Sequence, residues 1–192
     1  MNKLFTGLLA IALLSLTGCI SYSQKQLAEV HQWPPAETQM PKRTAYLKVE
    51  SQMLHNDAPR AGGFNASNLE QLLVSNYQSS ERFERVTTAQ ETSDLYVDIT
   101  VRNNERSNLP LAFISGLTLM VIPATADNEL SMETVFRDGA GKELGRIEKK
   151  ETITTWMQLV FVFALPFNQS ADGILQQLTQ STLEEAARRE LI

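Results

Sequence analysis

The chain is poor in the residues from which catalytic and metal sites are commonly assembled. Its 192 residues include one cysteine and two histidines. A single cysteine excludes an intrachain disulfide framework and any cysteine-rich metal site. A Ser-His-Asp arrangement would have to recruit His31 or His55, which lie in a linker and a loop by their surroundings. No GxSxG, HExxH or P-loop pattern occurs; Gly139-Ala140-Gly141-Lys142 shares letters with a phosphate loop but lacks its length and its following Ser or Thr. Basic charge is also short, with 17 Lys and Arg against 22 Asp and Glu and a net charge of -5. That balance gives no attraction to phosphate backbones, so no nucleic-acid partner is expected. Gly and Pro together number 16, too few for a collagenous or low-complexity chain. What the chain does have is a 43% hydrophobic content, enough for one globular domain with a buried core. No enzyme activity, cofactor or metal is expected of it.

The position of the lone cysteine carries most of the information. Lys3 precedes an apolar run from Leu4 to Leu16, and small residues follow it. The run is too short to span a bilayer about 30 Å thick, but it suits the core of a signal peptide. Residues 1–18 are therefore read as a cleaved signal. Leu16-Thr17-Gly18-Cys19 resembles the lipobox of bacterial lipoproteins. The resemblance implies a diacylglyceryl group on Cys19, cleavage between Gly18 and Cys19, and acylation of the new N-terminus. An ordinary signal peptide with a cysteine near its cut is the alternative. Three acyl chains, each buried methylene worth about 0.8 kcal/mol, would hold the protein on a membrane. Ile20, not Asp, follows the cysteine. By resemblance to proteobacterial sorting rules this implies the inner leaflet of the outer membrane, facing the periplasm, with the inner membrane less favoured.

Residues 19–43 are polar and close with Pro34, Pro35 and Pro41, which reads as a tether, with room for one helical turn between Gln26 and His31. Extended, it would reach roughly 80 Å. Trp33 is either a docking aromatic or an anchor packed on the domain. Residues 44–192 form the single domain. Thr44–Met53 alternates Ala45, Leu47 and Val49 with Tyr46, Lys48 and Glu50, which predicts a half-buried strand. Ser67 with Glu70 makes a capping box for a helix whose inner face carries Leu69, Leu72, Leu73 and Tyr77. Phe83 and Val86 follow as an apolar pair, and Asp94–Asn103 is a second alternating strand. Asp94 and Asp98 share one face of that strand, either as paired carboxylates or as an exposed face with Arg102. Ser170 caps a C-terminal helix with Ile174, Leu175, Leu178, Thr182 and Ala186 inward, Asp172 at its positive end and Arg188 and Arg189 at its negative end.

Two intervals of 20 residues carry no charge, from Arg106 to Asp127 and from Glu151 to Asp172. Their apolar cores are 109–126 and 156–167. Between them, Leu130–Phe136 and Leu144–Thr155 predict an antiparallel hairpin about Asp138–Lys142, with glycines for positive φ. Antiparallel pairing would bring the two apolar stretches side by side. Three readings of them stand: buried core strands covered by the helices, a membrane-contacting apolar hairpin, or two transmembrane helices. Pro123 and Pro166 and the short cores oppose the last. Pore-forming β-strands would alternate apolar with polar, which Thr118–Ile122 does poorly and Leu159–Leu165 does not do.

The expected class is α+β: a strand-helix-strand unit, a hairpin flanked by the apolar segments, and a C-terminal helix, with helices on one face of a sheet. The segment from Thr44 to Asn103 is similar to the small α/β domain of the curli-secretion lipoprotein and to the N-terminal domain of the TolB protein. The stretch from Ser115 to Thr125, with the later Gly-Lys turn and Trp156, looks like uncharacterised lipoproteins of gamma-proteobacteria. Neither likeness transfers a functional residue. The expected function is that of a lipid-anchored, non-enzymatic accessory or scaffold, with an envelope protein or a second copy of itself as partner. The alternative is a membrane-inserting or pore-forming component that uses the two apolar segments.

Overall fold

The computed structural model describes residues 18–35, 41–158 and 170–192. They form an α+β fold: one sheet with two long helices laid on one of its faces and a short helix at its end. The strands are β1 (Gly18–Ser23), β2 (Arg43–His55), β3 (Ala58–Pro59), β4 (Phe83–Thr87), β5 (Leu95–Ser107), β6 (Ala124–Asp138) and β7 (Glu143–Gln158). The helices are α1 (Ala66–Ser79), α2 (Leu109–Leu117) and α3 (Ala171–Arg188). Strand order is β1-β7-β6-β5-β2-β3, with β4 also beside β2. β2 pairs in parallel with both β4 and β5, while β5-β6, β6-β7 and β7-β1 are antiparallel.

Alternation decides the faces. Ala45, Leu47, Leu95, Val97, Ile99, Val101, Met132, Phe136 and Ile147 point inward and are at most 2% exposed. α1 covers them with Leu69, Leu73 and Tyr77, and α3 with Ile174, Leu175, Leu178, Leu183 and Ala186. Tyr77 stacks on Phe83 at 5.5 Å between ring centroids, which makes the expected apolar pair Phe83 and Val86 the inward side of a strand, β4. The opposite face is open and laced with ion pairs: Lys48–Glu50 at 2.9 Å, Arg137–Asp98 at 3.1 Å, Arg102–Glu133 at 3.4 Å, and Arg146–Glu133. Exposed pairs of this kind contribute little individually, but they keep that face wet, and three of them link β6 to its neighbours β5 and β7.

Local details refine the sequence reading. α1 is capped by Asn65, whose side chain accepts from the Asn68 N–H at 3.1 Å. Ser67 therefore lies inside the helix, because Asn65 is an equally good cap two residues earlier. Ser170 caps α3 as expected, accepting from the Gly173 N–H at 3.1 Å. The β6–β7 turn uses Gly141 at φ +83, while Gly139 has no positive φ; the Asp138 side chain accepts from Ala140 and Lys142 N–H, both at 2.9 Å. Each of α1, α2 and α3 is followed by a left-handed residue that is not glycine: Glu81, Leu119 and Glu190.

The first segment departs from its expected role. It was expected to be an extended tether, yet β1 adds to the free edge of β7, with Cys19 opposite Met157 and Ile20 opposite Trp156. An open strand edge presents unpaired N–H and C=O groups, and the segment satisfies them. Beyond β1 the chain stays on the domain without a helical turn: Gln24 N–H donates to Thr152 O at 2.8 Å, His31 N–H to Glu184 at 3.2 Å, and Trp33 packs on the core. Trp33 is thus the packed anchor of its segment.

Three carboxyl groups are held below their ordinary range. Asp94 accepts from the Thr44 hydroxyl at 2.7 Å and from its N–H at 2.9 Å. Asp57 is held down by hydrogen bonds from Arg106 and Asn104. Burial would raise Glu185, but Lys149 and Arg189 outweigh it and the net shift is downward. A depressed folded value means that the stabilisation is complete above the unfolded carboxyl range near pH 4 and is lost as pH falls through the folded values. Thermal unfolding followed from pH 6 to pH 2 should therefore show a falling melting temperature, with the fall shallower in Glu185→Gln. An equal slope in the variant would remove Glu185 from this account.

Candidate functional site

Strand directions bring one set of chain ends together. β5 arrives at Ser107 and hands over to α2, β6 departs at Ala124, β7 arrives at Gln158, and β1 departs at Gly18. In register, Ser107 lies opposite Ala126, Ala124 opposite Met157, and Met157 opposite Cys19. Cys19, the whole first uncharged stretch and the start of the second therefore meet at one end of the sheet. The remainder of the second stretch, 159–167, lies outside the described residues.

The first stretch is not a buried core strand. Asn108 caps α2 by accepting from the Leu111 N–H at 3.0 Å, Pro110 sits in the first turn, and Ser115 is the buried residue of the helix. The helix rests on a small polar residue and turns its large apolar side chains outward: Leu109, Phe113 and Leu117 are 62%, 68% and 69% exposed. Its end is a Schellman turn, with Met120 N–H donating to Ser115 O at 2.7 Å and Leu119 N–H to Gly116 O at 3.2 Å. The left-handed position in that turn belongs to Leu119, at φ 50 and 62% exposed, with Met120 at φ 61 after it. Left-handed backbone costs an L-residue roughly 1–2 kcal/mol. The reason for the inversion is length: nine helical residues between two adjacent antiparallel strands can only bridge the end of the sheet, beyond the core. Among the described residues no helix is long and apolar enough to cross a membrane.

Below this cap runs a charged collar. Arg106 pairs with Asp57 at 3.0 Å, Arg60 with Glu105 at 3.0 Å, and Asp127 accepts from the Thr154 hydroxyl at 2.7 Å. A shallow groove of about 530 Å³ separates the Asn56 turn from Leu109, Pro110 and Thr125. Trp156, 36% exposed, stands beside Thr125 on β6 and Ile20 on β1.

A second feature ties the N-terminal segment to the domain. Glu151 is 1% exposed, and its carboxyl oxygens accept from Leu27 N–H at 3.0 Å, Thr152 N–H at 3.0 Å and Gln26 N–H at 3.4 Å. The segment, Glu151 and the α3 residues Gln177 and Gln180 line a cavity of about 460 Å³. The strand pattern held a signal for this: Glu151 takes an inward position between Ile147 and Ile153, where a carboxyl group needs donors from elsewhere in the chain.

The other sequence candidates are dispersed. His31 lies against α3, and His55 ends β2 opposite Glu105. Asp94 and Asp98 do not act as a pair: the first fastens Thr44, and the second is bound to Arg137. Among the described residues no group of three or more His, Cys, Asp or Glu is placed to hold a metal ion.

No family model matches the sequence, and no curated protein matches it. Solved structures similar to it include PelC from Paraburkholderia phytofirmans, crystallised as a dodecamer, at 7% identity and a TM-score of 0.40, covering 88% of this chain and 95% of that one. An uncharacterized protein is similar at 14% identity and a TM-score of 0.35, covering 79% and 93%. A DUF4136 family protein from Bacteroides thetaiotaomicron is similar at 11% identity and a TM-score of 0.30, covering 91% and 96%.

Proposed function

We propose that the chain is a lipid-anchored envelope protein at the inner leaflet of the outer membrane, facing the periplasm and acting without catalysis through protein contacts. The observation that carries this reading is the place of Cys19. The residue that the Leu-Thr-Gly-Cys pattern marks for acylation is the second residue of β1, so an acyl anchor there would be continuous with the folded domain. Such a domain sits directly on its membrane. Its outermost strands and ion-paired open face are left for partners in the periplasm. Ile20 after the cysteine favours the outer membrane.

Labelled palmitate fed to cells expressing the chain should enter the wild type and fail to enter Cys19→Ala, and the wild type should fractionate with the outer membrane. Absence of label from the wild type would remove the anchor from the proposal. In-cell crosslinking from the open face, at Tyr96, should recover an envelope protein or a second copy of the chain.

A further inference from the structure

We infer that the apolar cap formed by α2 and residues 118–122 rests in the interfacial layer of the lipid bilayer and fixes the orientation of the domain on its membrane. The partner is a lipid surface. The inference takes its direction from the proposed acylation of Cys19, and its own ground is the geometry of the cap. Two strand spacings of about 4.8 Å separate Cys19 from Ala124, the residue at which the cap returns to the sheet. Acyl chains on Cys19 therefore hold the cap within about 10 Å of the same surface.

The cap has the composition of an interfacial element. Phe113, Leu117, Leu119 and Val121 are each more than 60% exposed, and no charge occurs from residue 107 to 126. An exposed leucine held in a left-handed turn costs twice, once in backbone strain and once in hydrated apolar surface, and strain of this sort concentrates where a segment has a role. Nine helical residues span about 13 Å, far short of a bilayer, so the helix lies along the surface. The Arg106–Asp57 and Arg60–Glu105 pairs begin where the cap ends and limit its depth, and Trp156 stands at that boundary, where indole rings favour the headgroup level. Acyl chains alone would leave the domain free to tilt. With the cap seated, the strands rise from the membrane, and the Asp138–Lys142 turn, up to about 50 Å of strand away, faces the periplasm.

The test places one indole at either end of the sheet. In a background of Trp33→Phe and Trp156→Phe, the lipidated chain carrying Phe113→Trp or Leu144→Trp is reconstituted into phosphatidylethanolamine–phosphatidylglycerol vesicles with acyl chains brominated near the headgroup. The Phe113→Trp indole should lose about half its emission or more, and the Leu144→Trp indole should be unaffected. The unlipidated Cys19→Ser chain, lacking residues 1–18, should co-float with the same vesicles, at least about fivefold less when Phe113→Asp is added. A labelled chain whose Phe113→Trp indole is not quenched overturns the cap while leaving the anchor standing. An unlabelled chain whose Cys19→Ser form still co-floats through Phe113 overturns the anchor while leaving the cap standing. A Cys19→Ser chain that ignores vesicles and forms a dimer dissociated by Phe113→Asp assigns the cap to a second copy and overturns the inference.

Discussion

Phe136→Ala is expected to destabilise the domain by about 3–5 kcal/mol, the cost of removing a fully buried aromatic ring from a core. Phe136 is 0% exposed near the C-terminal end of β6, opposite Val97 on β5 and Gly145 on β7. Gly145 offers no side chain to fill the space that alanine would leave. A Cβ on Gly145 would stand 2.8 Å from Cδ1 of Leu191, which covers it from the C-terminal segment, so the Leu191 side chain would have to shift to admit one. That segment is itself fixed, since Arg43 donates to Leu191 O at 2.8 Å. The cavity therefore stays open, and the loss is a large share of the roughly 5–15 kcal/mol that stabilises an ordinary domain. Urea unfolding of the unlipidated chain followed by circular dichroism measures it. A loss below about 1 kcal/mol would show that the core around Phe136 is packed differently.

Glu151→Ala is expected to release the N-terminal segment without unfolding the domain. The substitution leaves the N–H groups of Gln26 and Leu27 without their acceptor beneath the segment, at about 1–3 kcal/mol for each one that stays buried. The cheaper course is for the segment to lift off and hydrate both. Lys25 lies within it, so trypsin cleavage after Lys25 reads the open population directly. The rate should rise roughly tenfold or more, corresponding to about 1.4 kcal/mol of lost protection. Glu151→Gln keeps one acceptor oxygen and should fall between the two. An unchanged rate would mean that β1 and Trp33 hold the segment unaided. For a chain anchored at Cys19, the same cleavage would free the domain from the membrane, which makes Glu151 the residue that keeps anchor and domain continuous.

Much of the architecture was legible because it rests on period. Alternation in Thr44–Met53 and Asp94–Asn103 placed β2 and β5, and the 3.6-residue spacing of Ile174, Leu175, Leu178, Thr182 and Ala186 placed the inner face of α3; all five of those residues are buried. The Asp138–Lys142 turn was legible from its glycines. Helix ends were harder, because the left-handed positions are filled by Glu81, Leu119 and Glu190 instead of the Gly or Asn that ordinarily marks such a turn. Within the candidate site, Cys19 stood out by its motif. The partners of Glu151 did not, because two of its three backbone donors come from a segment more than a hundred residues away.

Two kinds of information thus separate. The amino-acid order alone determined the class of fold and the inward faces of β2, β5, α1 and α3, since each depends on neighbours within a few residues. Whether an uncharged stretch is core or surface depends on whether the remaining chain has apolar area to cover it. In this sheet α1 and α3 already cover the inward face, which leaves α2 at the end with Ser115 as its buried residue. In the same way, a polar, proline-closed segment reads as a tether until the unpaired edge of β7 is known to be available to it. Edges and leftover faces are properties of the assembled fold, and they decided where the cysteine, the cap and the domain stand relative to one another.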